Sequence, residues 1–242
     1  MKRSLIVATL MALVASTATA EVQFYTDEVA FQNAISASGM ASVGTVDFSN
    51  VLVPAGSFAE IDDPLDIDHL QGVFDPSDFT IDDLTFQSTT DPSIPAPVGT
   101  DGLWIVTPGF AGVSEYFIVA NILASPGDVE GLDILARHTA LSMTMGTVTA
   151  TNPQTEIDIF VYVYDNGGAL IGTQLNLLQP EPNGGFFGII NTSGSMGRVF
   201  LTESSGGAQV GVTRITAYVP EPSSLVLVAL GVLALARCRR RR

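Results

Sequence analysis

The chain of 242 residues has a single cysteine, Cys238, and it lies among arginines at the C-terminal end. The body therefore holds no disulfide and no thiolate metal cluster. Positive charge is also scarce. Of the 10 Lys and Arg, Lys2 and Arg3 open the chain and Arg237, Arg239, Arg240, Arg241 and Arg242 close it, which leaves Arg137, Arg198 and Arg214 against 24 acidic residues between Glu21 and Val219. Nucleic-acid binding is excluded, because no Lys/Arg patch remains to meet a phosphate backbone. The two histidines, His69 and His138, have no partners at metal-ligand spacing, so a His-based zinc site is not expected and each is read as a surface or turn residue. Charged residues make up only 14%, too few for a disordered chain, and the 46% that are hydrophobic supply a sizeable core.

What the chain does have begins at its two ends. Lys2 and Arg3 precede the apolar run Leu5 to Ala15, and Ser16 to Ala20 are small residues that place Ala18 and Ala20 at an Ala-x-Ala cleavage site. That pattern predicts a signal peptide over 1–20, cleaved after Ala20 on export by the Sec machinery. At the other end, Val219-Pro220-Glu221-Pro222-Ser223-Ser224 leads into an apolar segment, Leu225 to Ala236, and then into the terminal arginines. As a helix, 223–236 reaches about 21 Å, short of a bilayer core of about 30 Å, so it predicts a marginal transmembrane anchor. The arginines act as a membrane stop that stays cytoplasmic, which puts the acidic body outside.

The order of Pro220-Glu221-Pro222, serine pair, short apolar helix and basic cluster resembles the PEP-CTERM protein-sorting tail, also known as the ice-binding-protein C-terminal domain. The resemblance covers 219–242. It implies a protein exported by a Gram-negative-type bacterium that makes exopolysaccharide, held briefly in the inner membrane and then processed by a membrane transpeptidase, the exosortase. Catalysis of that step belongs to the exosortase, so Pro220, Glu221 and Pro222 are implied as recognition residues. The destination is then the cell surface or extracellular matrix.

Between the ends, residues 21–218 read as one acidic extracellular domain. Thr26-Asp27-Glu28 followed by Val29, Ala30, Phe31, Ala34 and Ile35 shows a cap, first-turn acids and helical spacing, which predicts one helix over 27–37 ending before Gly39. The period then changes to two. Ile157, Ile159, Val161 and Val163 alternate with Asp158, Phe160, Tyr162 and Tyr164, and Asp165-Asn166-Gly167-Gly168 turns the chain into 169–177, a hairpin signal. Further strands are expected at 45–49, 57–61, 84–88, 103–107, 115–122, 140–150, 185–191, 197–203 and 209–219. The hydrophobic phase of the last one flips after Val212, which predicts a bulge near Thr213-Arg214. Many short strands, no βαβ alternation and 23 glycines point to an all-β fold, an antiparallel β-sandwich of jelly-roll type. The opening Phe/Tyr strand, Thr45-Val46-Asp47-Phe48, Val161 to Asp165 and Phe186-Phe187-Gly188 also resemble the generic ectodomain of PEP-CTERM proteins, most of which have no assigned activity.

Signals for chemistry are thin. The acids from Glu60 to Asp101 run without an intervening Lys or Arg, and Asp62, Asp63, Asp66 and Asp68 are the candidate calcium ligands, although the EF-hand spacing fails. The competing reading is a solvated acidic loop, with no cofactor at all. Ser193 to Gly197 lacks the first glycine of a nucleophile elbow. Asn191-Thr192-Ser193 matches a glycosylation sequon by chance. Trp104, with Tyr116, Tyr162 and Tyr164 on other strands, offers flat rings on which a pyranose would stack, or else simply fills the core. The expected function is a non-enzymatic structural or adhesive role beside exopolysaccharide. One alternative is a carbohydrate-binding module, calcium-assisted or not, and another is a secreted glycoside hydrolase with two close carboxylates.

Overall fold

The computed structural model describes residues 21–49, 51–61, 65, 66, 68, 70, 74, 77, 79–81, 83–90, 102–109, 115–120, 130–148, 157–178, 185–203 and 209–221. The expected signal peptide, the apolar segment 223–236, Pro222, the terminal arginines, Asp62, Asp63 and His69 lie outside them. Among the described residues no helix is long and apolar enough to cross a membrane.

In chain order the elements are β1 (Val22–Tyr25), α1 (Glu28–Ala37), β2 (Met40–Asp47), β3 (Phe58–Ile61), β4 (Leu84–Thr90), β5 (Leu103–Val106), β6 (Phe117–Ala120), β7 (Glu130–Ala136), β8 (Ala140–Val148), β9 (Ile157–Tyr164), β10 (Leu170–Leu178), β11 (Gly185–Asn191), β12 (Arg198–Glu203) and β13 (Gln209–Pro220). They form two antiparallel sheets. The larger runs β1-β11-β8-β13-β6-β5-β3, with β2 also paired to β13, and the smaller runs β10-β9-β12-β7-β4. From β6 onward the chain alternates between them: β6, β8, β11 and β13 in the larger sheet, β7, the β9–β10 hairpin and β12 in the smaller. The all-β sandwich expected from sequence is the observed architecture.

The period-two pattern explains why the sheets face each other. Ile159, Val161 and Val163 of β9, Val199 and Leu201 of β12, and Leu132 and Ile134 of β7 point inward and meet Leu141, Met143, Phe187, Ile189, Val212 and Ile215 of the larger sheet in one core. Each such side chain contributes about 1.5–3 kcal/mol by leaving water. The bulge falls at the expected place: pairing of β13 with β8 shifts register between Val212 and Arg214. The shift keeps Val210, Val212, Ile215 and Ala217 all in the core despite their change of phase.

The helix also forms where expected. Asp27 caps it, its carboxylate accepting from the Ala30 N–H at 2.7 Å. It ends at Ala37 with Ser38 as its cap, just before Gly39, whose φ of 60° a residue with a Cβ adopts only with strain. Phe31 and Ile35, four residues apart and so on one face, pack with Ala140, Ile190 and Tyr218 on the outer face of the larger sheet. Gly188 of β11 makes room for this packing, because a Cβ there would run into the Phe31 ring.

Two segments depart from the sequence reading. β7 is an unexpected strand, since Gly131-Leu132-Asp133-Ile134-Leu135-Ala136 has few β-branched residues and an acid at its centre. β2 begins at Met40 rather than residue 45, because its first half pairs with the far end of β13.

Candidate functional site

β13 carries the chain out of the sandwich. Its pairing with β8 stops at Tyr218, but pairing with β2 continues through Val219 opposite Ala41 and Pro220 opposite Met40. The next N–H, of Glu221, donates to the Gly39 carbonyl at 2.8 Å. Pro220 and Glu221 are exposed at this corner. Proline is tolerated there because bonds to β2 alternate and fall on Glu221, so the N–H that proline lacks would face the other side, where pairing with β8 has already stopped at Tyr218. Val219-Pro220-Glu221 thus leave the fold directly from its longest strand.

The same strand creates a cleft. β13 has β6 as its neighbour at Gly211 and Val212, and β2 from Arg214 to Pro220. Where one partner replaces the other, Asp47, Ser49, Pro108, Glu115, Tyr116, Thr144, Thr213 and Arg214 line a cleft of about 410 Å³. Arg214 Nε lies 3.4 Å from Asp47 Oδ2. The other oxygen of Asp47 accepts from the Ser49 N–H at 2.9 Å. A smaller lobe of about 220 Å³ beneath α1 shares Thr144 and Arg214 and adds Glu28, Gln32, Ser142, Thr216 and Tyr218.

The smaller sheet has a different outer face. Alternation along β9 turns Phe160, Tyr162 and Tyr164 outward, each half-buried. Phe160 and Tyr162 stack at 6.4 Å and 23°, and Phe200 of β12 lies 6.1 Å from Tyr162. Phe200 is flattened against β7 over Gly131, where a Cβ would come within 2.6 Å of the ring. Arg198 sits over the rings of Tyr164 and Phe200 at 5.3 and 5.7 Å. Its Nε donates to Asp133 at 2.6 Å. Burial pushes the Asp133 carboxyl above its ordinary range, while the hydrogen bond and charge of Arg198 pull it back.

These geometries place the sequence match in context. Residues 219–242 fit the family model of the PEP-CTERM protein-sorting motif. The chain carries that sorting signal. A PEP-CTERM signal marks an exported protein with a C-terminal membrane anchor before an exosortase-type membrane protein processes it. No curated protein matches the chain. Among solved structures it is similar to the arabinose-bound MgGH51 α-L-arabinofuranosidase, at 8% identity and a TM-score of 0.33, over 73% of this chain and 27% of that one. It spans about a quarter of that enzyme, and a likeness this low carries no functional argument.

The fold disperses several candidates that the sequence grouped. Trp104 lies on β5 of the larger sheet, half-buried with Val106, Phe117 and Val119 and 5.3 Å from the Phe58 ring. Tyr162 and Tyr164 belong to the other sheet, and Tyr116 lines the cleft. Of the four acids considered for calcium, Asp66 and Asp68 are described, and the Asp68 N–H donates to the Asp66 carboxylate at 2.9 Å in a local turn. Among the described residues no three His, Cys, Asp or Glu side chains gather as metal ligands. Asn191 is buried and donates to the Ser195 carbonyl, which fits a chance sequon. His138 corrects the sequence reading. It lies in the β7–β8 connection, where a turn residue was expected, but is 7% exposed rather than on the surface, and its backbone carbonyl accepts from the Met196 N–H at 2.8 Å. The cleft and the Arg198–Asp133 pair were missed. A lone arginine in so acidic a chain was the available signal for both.

Proposed function

We propose that this is an exported, non-enzymatic jelly-roll protein that takes a structural or adhesive place at the cell surface or in the extracellular matrix, beside exopolysaccharide. The single observation that carries the reading is the PEP-CTERM motif leaving the sandwich at the end of β13. The jelly-roll assignment is supported by the strand orders β6-β13-β8-β11 and β7-β12-β9-β10, in which successive strands cross between sheets except at the β9–β10 hairpin and the last lies beside the first. An exosortase-type transpeptidase is the partner that reads Pro220, Glu221 and Pro222, and the Sec machinery is the route out. No resident cofactor enters this reading.

The test is the intact mass and cell fractionation of the wild type against a Pro220→Ala, Glu221→Ala variant. The wild type is expected outside the inner membrane with its C-terminus near 220–224, and the variant in the membrane with Arg242 retained. If both keep Arg242 and stay in the membrane, the tail is an ordinary anchor and the matrix role falls.

A second reading, a carbohydrate-binding module, is favoured by the row Phe160, Tyr162, Tyr164. Flat rings on an open sheet suit the apolar C–H faces of pyranoses in an extended polymer. Sedimentation of the protein with insoluble glucan, lost on Phe160→Ala with Tyr162→Ala, supports it, and a supernatant unchanged by glucan removes it.

A further inference from the structure

The cleft at the fork has a structural cause and a consistent chemistry. A strand that changes partners part-way along its length leaves a space at the change, and the extra residue Thr213 sits at that point. At about 410 Å³ the space falls within the range of about 300–1,000 Å³ typical of small-molecule sites. Apart from Pro108, every residue that lines it carries a hydroxyl, a carboxylate or a guanidinium: Ser49, Thr144, Thr213, Tyr116, Asp47, Glu115 and Arg214. Thr144 and Arg214 continue into the second lobe.

A lining that holds donors and acceptors together suits a ligand that carries both on neighbouring atoms, as vicinal hydroxyls do. Carboxylates accept from a pair of hydroxyls, and an arginine donates to the next pair. An apolar ligand would take the half-exposed Arg214–Asp47 pair out of water and offer it nothing in return. A polyanion meets one arginine set among acids, in a body with three arginines against 24 acidic residues, and is repelled before it docks. We propose that the fork cleft binds a neutral oligosaccharide, one ring in the larger lobe beside Tyr116 and the chain continuing past Arg214 and Thr144 into the lobe beneath α1. The proposal rests on the reading that the protein meets exopolysaccharide outside the cell. It is independent of the ring row on the smaller sheet.

The test titrates the purified full chain by calorimetry with cellopentaose, laminaripentaose and mannopentaose, against oligogalacturonate and a chitosan pentamer as acidic and basic comparators. At least one neutral pentasaccharide is expected to bind saturably. Arg214→Met and Thr144→Val, each with an unchanged melting temperature, weaken it about tenfold. No saturable binding of any neutral pentasaccharide overturns the proposal, as does binding that survives both cleft variants or that favours the charged comparators. Fractionation tests the export reading separately, so a protein that reaches the matrix yet binds none of the sugars loses only the cleft.

Discussion

The two outer faces of the sandwich are built on opposite plans. The larger sheet hides part of its face under added structure: α1 lies over β11, β8 and β13 through Phe31 and Ile35, a polar cleft opens beside it, and Trp104 packs with Val106, Phe117 and Val119 on β5 and β6. The smaller sheet has no helix over it among the described residues and covers its face with its own side chains, a row of rings along β9 and β12 with one arginine over two of them. Inward-facing positions are alike in the middle of both sheets, where apolar side chains meet in one core, and polar ones enter only toward the edges, as at Gln174 of β10 opposite Val161 and the buried Ser88 of β4 opposite Leu132. Inner faces are thus constrained by burial, whereas outer faces are free to differ, and it is there that binding chemistry is placed.

The largest effect is expected where the cover of the larger sheet is removed. Phe31 is fully buried and touches the rings of Tyr25, Phe186 and Tyr218. Phe31→Ala should cost about 3–5 kcal/mol in urea denaturation. A loss below about 1 kcal/mol would mean that α1 is not needed and that the two faces are less different than they look.

On the smaller sheet the matching variant is Arg198→Ala, expected to cost about 2–3 kcal/mol, because it leaves the buried Asp133 without its cation. Arg198 is itself 24% exposed, which holds the figure at the low end. The pH dependence separates this from lost packing. Burial has already raised the Asp133 carboxyl, and without Arg198 it rises further. A carboxyl raised in the folded state is penalised while ionised, so the loss should be largest at neutral pH. It should shrink as pH falls through the raised value toward the ordinary 3.8. A loss independent of pH would assign the effect to packing over Tyr164 and Phe200 instead.

The contrast between the faces also explains what was legible. The β9–β10 hairpin and the side on which Tyr162 and Tyr164 lie were readable because alternation and the Asp165 to Gly168 turn are local. So was α1, with its cap and its Phe31–Ile35 spacing. β7 was not, since Asp133 in mid-strand makes sense only beside Arg198, which is distant in sequence. The cleft was hidden for the same reason: Asp47, Glu115 and Arg214 come from three separated segments, and only the sheet order brings them to one point. Trp104 misled because an aromatic residue on a strand does not say which sheet its strand joins.

The smallest effect belongs to neither face but to the corner between them. His138 sits where the chain crosses from β7 to β8, buried, with both ring nitrogens unpartnered among the described residues. Burial lowers its pKa below 6.5, and the charge of Asp83 opposes that only in part. The folded state therefore keeps the ring neutral while the unfolded chain takes up a proton. Stability that is full above about 6.5 is lost as pH falls toward the lowered folded value, with a slope of at most one proton, about 1.4 kcal/mol per pH unit. His138→Leu should remove that slope and cost little at pH 7, since two unpaired polar atoms leave the interior. Melting temperatures of wild type and variant across pH 7 to 5 decide it, because carboxylates titrate alike in both proteins and cancel. Parallel curves would mean that the imidazole is solvated, and the acid sensitivity would then have to be sought on one of the two faces.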